Sequence, residues 1–166
     1  MYIFPVHNKN IVSQDYLLAQ HLSHPHDLPL LKKVILHFNF REDQGIATAV
    51  VLHLLGGQRP TLVTKKGSVI ALELSFTGKK MVEMLEKALF EIWPRLKRTP
   101  VLEVDHSGRN VRWQFDELFI FEEALPVQSS LWTPCGGTMR LVFQSPSKRA
   151  TSFFCQSIGI RIKEKA

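Results

Sequence analysis

The sequence predicts an α+β domain with two layers, in which helices cover one face of a largely antiparallel sheet. Segments in which apolar and polar residues alternate, as they do in half-buried strands, outnumber the segments with helical spacing. These strands do not alternate regularly with helices, so the crossover units of a parallel sheet are not indicated. With 166 residues, 45% of them hydrophobic and 22% charged, the chain is long enough to bury a core and is expected to form a single domain over residues 1–166.

The first half of the chain is expected to begin with a helix and turn over residues 1–27, followed by an α+β core over residues 28–163. Leucines on one face predict the first helix, and Pro25 lies beyond its end. In the first strand apolar residues alternate with polar ones, and two successive glycines close the helix that follows. The predicted ranges are a helix over Val12–His24, a strand over Leu31–Arg41, a helix over Ile46–Leu55, and strands over Thr61–Thr64 and Val69–Phe76.

The second half is expected to contain a long helix, two strands, a last helix and a short extended end. An apolar stripe predicts the long helix, which Pro94 ends. Ser145 as N-cap and Pro146 as first helical residue predict the start of the last helix, and Gly159 its end. The predicted ranges are a helix over Lys79–Trp93, a hairpin turn over Asp105–Gly108, strands over Asn110–Phe115 and Thr138–Gln144, and an extended piece over residues 160–163.

Because helices are expected on one face only, the other face of the sheet is expected to stay open. The chain carries 21 lysines and arginines against 15 acidic residues, a net charge of +6, which favours a polyanionic partner such as nucleic acid or an anionic membrane surface. A polar sheet face with a net positive charge can bind the phosphate backbone of a nucleic acid. The alternative is that this face contacts only solvent. The side chains expected on this face are His37, Asn39, Arg41, Arg112, Gln114 and Arg140.

No motif in the sequence indicates an enzyme or a metal site. The glycine-containing segments match neither a phosphate-binding P-loop nor a dinucleotide fingerprint. Asp105, His106 and Ser107 are triad residue types, but adjacent side chains cannot form the relay. The histidines at positions 21, 24 and 26 fall in a proline-containing turn, and Cys135 and Cys155 have no metal-ligand spacing. We therefore expect no catalytic residue, no metal and no cofactor, and reduced thiols.

The basic clusters lie mostly at element ends and in loops, where lysine and arginine reach phosphates. Aromatic residues such as Phe38, Phe90, Trp113 and Phe143 fall on predicted core faces. The sequence therefore predicts contact with a nucleic-acid backbone rather than a platform on which bases stack.

Several strings, in their order and spacing, resemble the family of the large-subunit ribosomal protein L-five, which binds 5S rRNA in the central protuberance. The resemblance runs from about Ser13 to Ile162, nearly the whole chain, and no single string is diagnostic. The Ser-Gln-Asp-Tyr-Leu-Leu and Leu-Gly-Gly-Gln strings are most similar to the plant-type mitochondrial branch. The matching segments are Gln14–Leu18, Leu28–Leu36, Gly57–Pro60, Thr64–Lys66, Gly78–Met81, Pro94–Lys97, Gly108–Asn110, Glu117–Phe121 and Ser147–Lys148.

The resemblance implies a structural role without enzymatic activity, as a constituent of the mitochondrial large ribosomal subunit. The partners it implies are 5S rRNA, large-subunit rRNA, the L-eighteen type of neighbouring protein, and small-subunit head proteins across an intersubunit bridge. A plastid or a bacterial cytoplasm is the alternative location. The RNA-facing residues it implies are Lys32, Lys33, His37, Asn39, Gln58, Arg59, Thr61, Thr64, Lys65 and Lys66, to which the strand pattern adds Arg41 and Arg112.

Three departures from the family pattern change these expectations. The first strand ends in bulky residues over Phe38–Arg41 where the family usually has a glycine-bearing segment. The loop at Lys66 passes almost directly into the next strand, which weighs against contact with tRNA in the peptidyl site. Thr77 stands where the family typically has arginine, so one phosphate contact is expected to be missing.

Two functions of other classes remain open at the level of sequence. A basic organelle adaptor that binds acidic proteins and has no RNA role is one, because a cationic surface suits either partner. A hydrolase that uses His106 or Cys135 is the other, although nothing in the sequence supplies a base for the cysteine.

Overall fold

The computed structural model describes residues 28–39, 45–65, 67–125, 136–145 and 147–163. The strands in these ranges are β1 (Leu30–Asn39), β2 (Thr61–Lys65), β3 (Ser68–Phe76), β4 (Val101–Val104), β5 (Asn110–Phe115), β6 (Gly137–Gln144) and β7 (Arg161–Lys163). They form one mostly antiparallel sheet of seven strands in the order β2-β3-β1-β6-β5-β4-β7. The predicted α+β class is thereby confirmed.

The helical segments bear out most of the predicted helices. The predicted helix over Val12–His24 lies outside the described residues, as do Arg41 and the histidines before the first strand. A π-helical turn over Ala88–Ile92 lies within the long predicted helix, and a 3-10 turn covers Leu118–Ile120. Pro94 does not end the long helix as predicted, because it lies in the first turn of the helical segment Trp93–Arg95, where proline is tolerated. The α-helices of the described ranges are α1 (Gly45–Gly56), α2 (Gly78–Lys87), α3 (Trp93–Arg95) and α4 (Lys148–Ser157).

One strand, β4, has no counterpart among the predicted elements. It is only four residues long and pairs antiparallel with β5 and parallel with β7. Its parallel partner comes from the far end of the chain, so the alternation within Val101–Val104 alone is too short a signal to identify it.

The chain groups into two compact units, each assembled from separate stretches. Unit 1 contains Thr77–Trp113 and the described residues before Ile35 and after Arg140. Unit 2 contains Ile35–Phe76 and Gln114–Arg140. The expectation of one domain stays a prediction.

In unit 1 the helices cover one face of the strands. Trp93 of α3 meets Trp113 of β5 edge to face, with ring centroids 5.6 Å apart. Helix α4 packs against β4 and β7, where Leu102 and Val104 are buried while Glu103 is exposed. This alternation leaves the second face of these strands to solvent.

In unit 2 an aromatic cluster forms the core. Phe38, Phe115 and Phe121 pack edge to face, with centroid distances of 5.3 to 6.4 Å. A Cβ on Gly137 would lie 2.8 Å from the rings of both Phe38 and Phe115, so only glycine lets β6 approach them. Helix α1 packs against β3, and a Cβ on Gly56 would lie 2.6 Å from Leu74.

The start of α4 corrects a prediction. The N-cap is Ser147, whose Oγ accepts a hydrogen bond from the backbone N–H of Ala150 at 3.2 Å. Ser145, the predicted N-cap, instead donates its hydroxyl to the Ser147 carbonyl at 3.0 Å. Two serines flank Pro146, and only the second has an extended backbone followed at once by helical residues.

Replacing Ser147 by alanine is expected to lower the free energy of unfolding by about 1 kcal/mol, because one N–H of the first turn of α4 loses its acceptor. Ser145→Ala is the matched control and is expected to change it by less than about half as much, since the helix keeps its cap. Urea unfolding followed by circular dichroism measures both. A larger loss for Ser145→Ala would mean that the helix begins where the sequence pattern predicted.

Candidate nucleic-acid interface

The exposed face of β1, β3 and β6 in unit 2 groups a histidine and an arginine around one carboxylate. Glu73 Oε2 lies 3.7 Å from His37 Nδ1 and 3.7 Å from Arg140 Nη2. His37 Nε2 lies 3.2 Å from Asn39 Oδ1, and Thr61 on β2 is the register partner of Glu73. We call His37, Glu73 and Arg140 the Glu73 cluster.

The Glu73 cluster is close to neutral whenever His37 is uncharged. Its side chains are about one-third exposed or less, with values between 28% and 33%. A phosphate that approached Arg140 would meet the repulsion of the Glu73 carboxylate 3.7 Å away. The expected gathering of His37, Asn39 and Arg140 is present, but the surface they form is mixed in charge rather than cationic.

Unit 1 presents a second exposed face on β5, β4 and β7. Glu103 of β4 is the register partner of Arg112 on β5 and of Lys163 on β7, and Val101 of β4 is the partner of Arg161. All of these side chains are exposed, and register partners project from the same face of a sheet. We call Arg112, Arg161 and Lys163 the unit 1 cationic face, which has three cations around the carboxylate of Glu103.

The basic surplus of the chain is concentrated in unit 1. Among the described residues, unit 1 has 14 lysines and arginines against 5 aspartates and glutamates. The described part of unit 2 has 3 basic residues against 5 acidic ones. A polyanion is attracted by the summed local charge, so unit 1 is the more favourable binding surface.

The predicted RNA-binding residues that the structure describes do not all lie on one face of the strands. Lys32 is exposed and Lys33 half-buried on β1, and because successive strand residues alternate, they project from opposite faces. The Gln58 amide donates to the Ser75 carbonyl at 2.7 Å and so ties the loop after α1 to β3. Arg59, Thr61 and Thr64 are exposed in unit 2, Arg112 is exposed in unit 1, and Arg41, Lys66 and the Lys65 side chain lie outside the described residues.

The turn at Asp105 confirms the predicted hairpin and shows what its carboxylate does. Burial raises the pKa of Asp105, but hydrogen bonds from Asn110, Ser107 and Arg109 outweigh it and hold the pKa below the ordinary value of 3.8. The Asn110 amide donates at 2.6 Å and the Ser107 hydroxyl at 2.9 Å. Both carboxylate oxygens are therefore occupied by the turn that joins β4 to β5, and neither orients the exposed His106.

The described cysteine has the properties of a core residue. Cys155 is free and buried in α4, and burial raises the pKa of its thiol to about 12. It is thus protonated at neutral pH and a poor nucleophile. Cys135 lies outside the described residues. Within the described ranges, no three histidine, cysteine or acidic side chains come close enough together to hold a metal ion.

Three residues that shape this interface were absent from the predicted site. Alternation places Glu73 on one face of its strand, but only the order of β3 and β1 puts it beside His37. Alternation along β7 places Arg161 and Lys163 on the same face of that strand. Only the parallel pairing of β7 with β4 brings this face to the side on which Arg112 projects. Sheet order is a tertiary property that local patterns do not contain.

No described helix is both long enough and apolar enough to span a bilayer. Comparison with known proteins leaves the family open, because no protein-family model matches this sequence and no curated protein is significantly similar to it.

Proposed function

We propose that this protein is a structural RNA-binding constituent of a mitochondrial large ribosomal subunit. On this proposal it binds 5S rRNA and large-subunit rRNA in the central protuberance, as the resemblance to the L-five family implies. The observation that carries the proposal is the concentration of basic residues in unit 1, where 14 lysines and arginines stand against 5 acidic residues among those described. Such a surface neutralises phosphates and releases their counterions.

Within this surface, the side chains of the unit 1 cationic face are held in place by paired β-strands. Because the described helices of unit 1 pack on the opposite face, a sugar–phosphate chain can reach these strands without displacing any of those helices. Arg112 can bind a phosphate through two N–H groups, while Lys163 and Arg161 act as flexible cations along the edge strand. Their contribution is position and charge, not bond chemistry.

The protein neighbours and the intersubunit contact rest on the resemblance alone. On this proposal the chain lies beside the L-eighteen type of neighbour and contacts head proteins of the small subunit. The short loop at Lys66 leaves tRNA contact out of the proposal.

A protein-interaction adaptor is the second candidate, and helix α1 is the observation that favours it. Ile46, Val50 and Leu54 are 84%, 42% and 53% exposed, and they recur every four residues along one side of the helix. An uncharged helical stripe in a unit without a basic surplus suits a protein partner better than RNA.

Gradient sedimentation of an organelle lysate tests the proposal directly. The full-length protein is expected to co-migrate with the large ribosomal subunit and to leave that fraction after RNase treatment. The purified protein is expected to bind a 5S rRNA transcript with an affinity that falls by about 0.9 logarithmic units per phosphate contact for each tenfold rise in salt. Co-migration with a protein complex that survives RNase, together with no binding to the transcript, would favour the adaptor.

A further inference from the structure

A cavity of about 350 Å³ opens in unit 1 beside the π-helical turn that joins α2 to α3. Its walls are mostly aromatic and aliphatic, and Arg161 is the one lining residue that also belongs to the proposed phosphate contacts. The volume lies at the small end of the roughly 300–1,000 Å³ range of ligand sites, so one ring system suits it better than an extended ligand. The residues that matter for its chemistry are Phe90, Trp93, Pro94, Pro100, Ile160 and Arg161.

Phe90 is exposed at this cavity, which corrects the prediction that it belongs to the core. It is 57% exposed, whereas Ile92 and Trp93 are 3% and 8% exposed. A π-helical turn contains more residues than an α-helical one, so it rotates the side chains that follow and lets Ile92 and Trp93 both face inward. Trp93 is held edge to face by Trp113, so the cavity has one rigid and one accessible aromatic wall.

One cation lines the cavity and two more belong to a segment that borders it. Arg161 lines it directly. Lys97 and Arg98 are exposed in the segment between α3 and β4, whose residues Leu96 and Thr99 also line the cavity. One exposed acid, Glu91, is next to Phe90 in the sequence, so the three exposed cations Lys97, Arg98 and Arg161 stand against one carboxylate in these segments.

We infer that this cavity receives an unstacked nucleobase from a loop or bulge of the bound RNA, an inference that rests on the proposed function. The base stacks on Phe90, and the phosphates that flank it are bound by Arg161 and by the Lys97–Arg98 segment. Bases that are not paired are read in this way by aromatic and cationic side chains. The indole Nε1 of Trp93 is buried and finds no acceptor among the described residues, so the ring of Trp93 is offered to a ligand as an apolar wall.

Two probes of equal length test the inference by fluorescence anisotropy: an oligouridine of about twelve nucleotides, whose bases stack weakly, and an RNA duplex. Phe90→Ala is expected to weaken oligouridine binding about tenfold or more and to leave duplex binding unchanged, whereas Phe90→Trp retains both. Arg161→Ala is expected to reduce the salt slope for oligouridine by about 0.7, the value for one phosphate contact with a single strand.

Leu62→Ala is the matched control, because Leu62 is 59% exposed in unit 2 and is expected to change neither affinity. Thermal unfolding of Phe90→Ala should match the parent, since an exposed ring contributes little to stability. Equal binding of Phe90→Ala and the parent to both probes would overturn the base site. The proposed function would then be tested separately, by the binding of the protein to the 5S rRNA transcript. An equal loss on both probes would also overturn the base site. If a short acidic, aromatic peptide binds in a Phe90-dependent way while oligouridine does not, the cavity is a peptide site and the inference is wrong.

Discussion

Gly108→Ala is expected to lower the free energy of unfolding by about 3–5 kcal/mol, more than any other single substitution proposed for this protein. Gly108 has φ of +70°, a region that alanine enters at a cost of about 1–3 kcal/mol. A Cβ at this position would lie 2.5 Å from Lys148 Cα and 2.6 Å from Lys148 N, so it would collide with the backbone that begins α4. That backbone cannot yield as a flexible side chain can, and its displacement would strain the 2.6 Å hydrogen bond from the Thr151 hydroxyl to the Gly108 carbonyl.

Gly159→Ala separates the cost of backbone strain from the cost of steric collision. Gly159 has φ of +84°, but a Cβ added there would meet no atom within 4 Å. It is expected to cost only the backbone strain, about 1–2 kcal/mol. Urea unfolding of both variants measures the difference. Equal losses would show that α4 does not approach the Asp105 turn as closely as the structure indicates.

Replacing Arg112, Arg161 and Lys163 together by alanine is expected to weaken binding to a 5S rRNA transcript about a hundredfold at 0.15 M salt. The salt slope is expected to decrease by about three, because three phosphate contacts are lost. The set Arg59, Lys65 and Lys66, which the sequence predicts as RNA-facing, is expected to have a smaller effect when replaced by alanine. Acidic residues outnumber basic ones in the described part of unit 2, and they weaken the local attraction for phosphate.

Glu103→Gln provides a control of opposite sign. Its carboxylate stands between Arg112 and Lys163 in register, so its removal is expected to strengthen binding a few-fold. Filter binding over a range of salt concentrations measures all three variants. A greater loss for the Arg59, Lys65 and Lys66 set would place the main interface in unit 2 and contradict the charge argument.

The local sequence pattern predicted most strands and helices of the fold, but it predicted fewer of the residues that form the interface. Alternation located β3, β5 and β6 to within one residue, because burial of one face imposes a period of two on the sequence. The start of α4 was displaced from Ser145 to Ser147 because both serines are good N-caps, and only the chain path chooses between them. Phe90 was misplaced because it was assigned to the core as an aromatic residue, although α-helical spacing puts it on the side of the helix opposite the buried Ala88 and Ile92.

By itself the sequence determined the α+β class, the basic balance and the absence of recognisable catalytic motifs, since these follow from composition and from short-range periodicity. The tertiary structure alone decided which charges become neighbours: Glu73 beside His37 and Arg140, and Arg112 in line with Lys163. The physical reason is that strand order and register join residues distant in the chain. An electrostatic surface depends on the distances between charges, and composition records only how many there are.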